Sequence, residues 1–203
     1  MHHCGICQIL ERWFKRLARS AWNGVEARFE TGRELIRCGR AGLIRLEPKS
    51  YKGPEVTLAD GTVVKVGTPV AEMHLDSRKV VEAYGGEQQS IKGVLTLVRD
   101  LKESLDWIRA WLLEDPVGRN VRFIFAVTLL EKELRRLGFE IVHLPAWPWL
   151  SVGIYMRWLS YLYRPAGSPP PPGSSLVPKQ AWMSRERFLS MSSSGNTWKL
   201  GLR

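Results

Sequence analysis

Glu72, His74 and Asp76 alternate with Ala71, Met73 and Leu75 in the stretch VAEMHLDS, residues 70–77. On a β-strand, alternate residues project to the same side about 7 Å apart. Two carboxylates flanking an imidazole at that spacing suit an acid–base pair or part of a metal site. A sheet that is covered on one side produces the same alternation without any function. The pattern therefore predicts Ala71, Met73 and Leu75 buried, with Glu72 and Asp76 largely exposed and no metal beside them. A catalytic assignment stays with Glu72, His74 and Asp76 as the candidates.

His143, in EIVHLP, is the only other histidine placed to join that row, and it shares a strand face with Phe139 and Ile141. That company favours a core histidine with a hydrogen-bond partner. The opening HHCGIC places His2, His3, Cys4 and Cys7 close together, but it lacks a second cysteine pair and a surrounding fold, so a structural zinc site is not expected. No Gly-rich loop of the kind that cradles a pyrophosphate is present, and no cofactor is expected.

A third candidate is a surface. Over the 203 residues the formal charge is +10. Residues 1–50 carry 10 basic and 5 acidic side chains, residues 51–150 carry 13 and 14, and residues 151–203 carry 7 and 1. The middle is nearly neutral and both ends are basic. Residues 6–22 read as an amphipathic helix: Ile6, Leu10, Trp13, Leu17 and Ala21 form its apolar stripe, and Arg12, Lys15, Arg16 and Arg19 lie off it. Arg12, Trp13, Lys15, Arg16 and Arg19 are thus the candidate contacts for an anionic membrane surface, where aromatics sit in the interface and arginines among headgroups. Such a helix equally packs its stripe on its own domain. Nucleic-acid binding through the basic ends is the weaker alternative: the charge is present, but no zinc finger, aromatic RNA-binding strand or KH-type loop accompanies it.

These residues need a scaffold. The segment 23–42 has no sustained period and reads as irregular. GLIRL (42–46) alternates as a strand. EVTLADGTVVKV (55–66) is a hairpin whose three-residue loop, Ala59-Asp60-Gly61, pairs Val56 with Val64 and Leu58 with Thr62. Residues 90–114 form a long helix with Ile91, Val94, Leu95, Val98, Leu101, Leu105, Ile108 and Leu112 as its buried stripe, closed near Glu114-Asp115-Pro116. VRFIFAVT, LLEKELRRLG and FEIVHLP make a βαβ-like unit over 121–145. Residues 147–163 are dense in aromatics and too short to span a bilayer. The fold class is α+β: a mixed or antiparallel sheet with packed helices. One domain is expected over 1–165, then a Pro/Gly/Ser linker at 166–175 and a basic tail at 176–203 with one short helix. Three cysteines with no repeated spacing, and no signal peptide, fit a reducing compartment and a cytoplasmic protein, peripheral to the inner membrane face at most.

LADGTVVKVGTPVAEMHLDS, FAVTLLEKELRRLGFEIVHLP and LVPKQAWMSRERFLS, in this order, resemble the YkoP-like family of bacterial proteins. That family occurs as small stand-alone proteins, and related domains are attached to polysaccharide deacetylases. The resemblance implies a setting of envelope glycan chemistry and supplies no reaction. The expected function is a non-catalytic accessory or interaction domain, with an anionic membrane surface or an envelope glycan or enzyme as partner. The alternative is a small enzyme acting on a glycan or lipid-linked sugar through Glu72, His74 and Asp76.

Overall fold

A computed structural model describes residues 33–76, 79, 91–128, 131–143 and 178–193. The helix expected at 6–22, the aromatic segment 147–163, the linker 166–175 and the HHCGIC cluster lie outside the described residues. The fold is α+β. Its strands are β1 (Ile36–Cys38), β2 (Ile44–Ser50), β3 (Val56–Thr57), β4 (Val63–Val64), β5 (Pro69–Leu75), β6 (Phe123–Thr128), β7 (Glu140–His143) and β8 (Lys179–Ser184). The helices are α1 (Ile91–Glu114), α2 (Pro116–Asn120), α3 (Glu131–Arg136) and α4 (Arg185–Ser193). Six strands form one sheet in the order β1-β2-β5-β6-β8-β7, and β3-β4 is a separate hairpin. All neighbours in the large sheet are antiparallel except β5 and β6, which run parallel and are joined through α1 and α2. A parallel pair needs a crossover, and the long helix supplies it. β6-α3-β7 is a split unit: its two strands run parallel to each other with β8 inserted between them.

Alternation along the strands sorts the side chains onto two faces. Leu46, Ala71, Met73, Ile124, Ala126, Ala181 and Met183 face a layer built from Leu105, Ile108, Trp111 and Leu112 of α1 and Phe188 of α4. The α1 stripe is therefore real in its second half, whereas Leu95, expected on it, is 55% exposed. Ser104 ties this helix to β1 by donating to the Cys38 carbonyl oxygen at 3.1 Å. Asp115 then accepts from the Val117 and Gly118 amides and starts α2, so the predicted stop is also an N-cap. Gly118 passes so close to α1 that a Cβ would lie 2.3 Å from the Trp111 carbonyl oxygen.

The opposite face carries the hairpin. Val56 pairs with Val64, the Leu58 amide donates to the Thr62 carbonyl oxygen at 2.9 Å, and Gly61 takes φ +81°. This is the register that the sequence predicts, and glycine relieves the positive φ. Under the hairpin lie Tyr51, Val70, Phe123, Phe125 and Trp182. Phe125 and Trp182, directly opposite each other on β6 and β8, stack at 4.4 Å with rings 13° apart.

Three local expectations change. Ile36–Cys38, in the segment read as irregular, is strand β1. Three residues are too few to show a period. The strand expected at 42–46 is β2, which runs past Leu46 to Ser50 despite Pro48. β1 pairs only with Ile44–Leu46, so beyond that point β2 has no described neighbour on that side and loses nothing by lacking an amide there. The segment expected to give one short helix at 176–203 gives α4 and, before it, the interior strand β8.

Candidate functional site

β2 and β5 pair antiparallel with Arg45 opposite His74, Glu47 opposite Glu72 and Lys49 opposite Val70. These polar side chains share the face that further along the sheet holds the aromatic cluster. One row crosses five strands as Glu47, Glu72, Phe125, Trp182 and Glu140. The acidic and imidazole groups thus stand at the β2-β5 end of a face whose other end is closed by aromatic rings.

Glu72 and His74 do meet, and their companion is Glu47. His74 Nε2 lies 3.2 Å from Glu47 Oε2 and 3.8 Å from Glu72 Oε2. Lys49 Nζ donates to Glu47 Oε2 at 3.1 Å and also to Glu72 Oε2, and it lies 5.7 Å from the Phe125 ring centre. Arg33 donates to Glu47 Oε2 at 2.9 Å. Two like charges directly opposite on neighbouring strands are destabilising by themselves, and here cations offset the repulsion. Burial acts to raise the Glu47 carboxyl. The hydrogen bond and charge of Lys49, the charge of Arg33 and the His74 hydrogen bond together outweigh it and hold that carboxyl below the ordinary carboxylate value.

Asp76 departs from the predicted row. It lies just past β5, its amide donates to the Leu43 carbonyl oxygen at 2.8 Å, and its carboxylate pairs with Arg45. The expectation of an exposed Asp76 is corrected: its side chain is 4% exposed and that of Arg45 is 10%. Glu72 is likewise withdrawn from solvent, at 14%, because Lys49 folds over it. Ala71 and Met73 are buried as expected, but Leu75 is 44% exposed, being the last residue of β5 where the strand leaves the sheet. His143 does not join the site. It is exposed at the end of edge strand β7, three strand positions from β5 and so roughly 14 Å away. Its Nδ1 accepts from Lys179 Nζ at 2.7 Å.

Among the described residues, Glu47, Glu72 and His74 form a group with donor atoms suited to a metal ion, all lying within 4.8 Å of one another. The set can balance charge, pass a proton or hold a cation. The signal for Glu47 was present in the sequence, because Arg45, Glu47 and Lys49 continue the alternation of GLIRL, but Pro48 obscured it. Cys38 is no nucleophile: burial, only partly opposed by a backbone hydrogen bond, pushes its thiol up to about 12. The surface residues Arg12, Trp13, Lys15, Arg16 and Arg19 lie outside the described residues. No described helix is long and apolar enough to cross a membrane.

No solved structure shows a significant match to the chain. A curated relative, the uncharacterized protein YkoP of Bacillus subtilis (strain 168), is 21% identical over 108 residues, which cover 53% of this chain and 59% of that protein. The chain thus spans less than two thirds of that relative's length. The profile of the YkoP domain matches residues 15–192, taking in the whole sheet, the hairpin and the Glu47-Glu72-His74 group, so the chain belongs to the YkoP domain family.

Proposed function

We propose that this chain is a non-catalytic accessory or interaction domain of envelope polysaccharide metabolism, held peripherally at an anionic membrane surface on its cytoplasmic side. The observation that carries the non-catalytic part is the pairing of the candidate acids. Glu72 is bound by Lys49, Glu47 by Lys49 and Arg33, and Asp76 by Arg45. A general acid or base works by exchanging its proton with substrate; Asp76 is locked to the buried Arg45 guanidinium, and Glu47 and Glu72 must first shed the Lys49 ammonium. The surface part rests on the distribution of charge, +5 over residues 1–50 and +6 over residues 151–203. The glycan setting rests on the family resemblance.

Co-sedimentation with vesicles containing phosphatidylglycerol tests the reading. The full chain is expected to pellet with these vesicles at low salt and to be released as salt rises, because screening weakens exposed attraction. Exchange of Arg12, Lys15, Arg16 and Arg19 for Gln is expected to abolish pelleting while the circular dichroism spectrum is unchanged. Unchanged pelleting of that variant removes the 6–22 segment as the membrane contact. A wild-type chain that never pellets removes membrane association and leaves a glycan or an envelope enzyme as the partner. The alternative, a small enzyme on a glycan or lipid-linked sugar, is favoured by one observation: Glu72 and His74 share a partly open face with Glu47.

A further inference from the structure

We propose that Glu47, Glu72 and His74 are the ligands of a divalent transition-metal ion, and that the Lys49 ammonium holds the same position when the ion is absent. This departs from the expectation of no metal beside β5, and the reason is Glu47, which only the β2-β5 register brings in. The inference stands apart from the membrane reading.

The separations fit a small ion. Ligand atoms about 2.1 Å from a tetrahedral centre lie about 3.4 Å from one another. His74 Nε2 is 3.2 Å from Glu47 Oε2 and 3.8 Å from Glu72 Oε2, and no pair in the group exceeds 4.8 Å. The two carboxylate oxygens converge on one cation already, since both accept from Lys49 Nζ. Two carboxylates and a neutral imidazole cancel a charge of +2. One nitrogen and two oxygen donors suit zinc, manganese or ferrous iron better than calcium or magnesium, which take oxygen almost alone. All three ligands stand on paired strands of one sheet, so their spacing is fixed before any ion arrives.

Access and exchange are also provided for. The side chains of Glu47 and Glu72 are 14% exposed and that of His74 is 23%. Lys49, at 32%, is more open than any of the three ligands, and its flexible stem lets the ammonium move into water. Arg33 can stay on Glu47 as an outer partner that orients the ligand carboxylate. Three protein ligands leave positions open on the ion for water or a small ligand.

The test is titration of the metal-free full chain with zinc or manganese, followed by calorimetry and by the thermal midpoint. Removing the competing ammonium in Lys49→Met is expected to tighten binding at least tenfold, and metal is expected to raise the midpoint of that variant more than that of the wild type. In the Lys49→Met background, Glu72→Gln and His74→Ala are each expected to lose the tightening. If Lys49→Met does not fold without metal, Lys49→Gln carries the same comparison. Binding no tighter in either Lys49 variant overturns the proposal. So does binding that is equally tight after Glu47→Gln, Glu72→Gln and His74→Ala together.

Discussion

On the helix side of the sheet, Leu46, Ala71, Met73, Ile124 and Ala181 meet Leu105, Ile108 and Leu112 in an apolar layer. On the hairpin side, the same four strands divide. β6 and β8 present Phe123, Phe125 and Trp182, and β2 and β5 present Arg45, Glu47, Lys49, Glu72 and His74. The helix side is held by area removed from water, which tolerates changes of shape better than changes of polarity. The ionic end of the hairpin side is held by a near-balance of charges, where the loss of one partner exposes the cost of all the others. A sheet can therefore keep a conventional core on one face and place charged chemistry on the other, provided that an aromatic wall separates that chemistry from the hairpin.

The largest effect expected is at that wall. Trp182→Ala should cost about 3–5 kcal/mol in urea unfolding, because it empties a fully buried site that touches Tyr51, Phe123 and Phe125. A loss under about 1 kcal/mol would mean that the hairpin collapses onto the gap, and the division of the face would be weaker than described.

Next comes the ion pair beneath the rim. Asp76→Ala should cost about 3 kcal/mol, since it removes the carboxylate that pairs with the buried Arg45 guanidinium. Arg45→Met combined with Asp76→Leu should recover most of that loss, to within about 1 kcal/mol of the wild type. A double variant as unstable as the single one would show that the pair does more than cancel its own burial.

Acid should separate the faces by degree. The Glu47 carboxyl sits below its unfolded value, so the unfolded chain takes up the proton first. Its stabilisation is complete above the ordinary carboxylate pKa and disappears as pH falls through the lowered one. The thermal midpoint of the wild type should therefore drop more steeply than that of Glu47→Gln between neutral and strongly acidic pH. Parallel curves would mean that Arg33 and Lys49 do little for Glu47.

The smallest effect marks where the hairpin side ends. Val66, 68% exposed after β4, should tolerate Ser within about 0.5 kcal/mol, whereas fully buried Val64 should not.

The sequence made some of this legible. The hairpin register followed from asking which loop length aligns Val56 with Val64, and the helix at 91–114 from its apolar period. Met73 and Ala71 were correctly turned inward because alternation carries that information directly. The partners of Glu72 and His74 were not readable in the same way. They depend on how β2 aligns with β5 across the hairpin, and nothing local to either strand states that register. Asp76 was misread because its burial is set by Arg45, 31 residues earlier in the chain. The strand at 179–184 was missed because KQAWMS has only two large apolar residues, and its position between β6 and β7 is what buries them.

That position has a consequence for the order in which the protein is made. β8 is the last described strand to leave the ribosome, yet it lies between two strands synthesised earlier. Until it arrives, β6 has one unpaired edge and β7 has no described partner. Open, apolar strand edges recruit other chains. Nascent chains stalled before residue 179 should therefore be the species that chaperones hold, and release should coincide with the appearance of KQAWMS outside the exit tunnel.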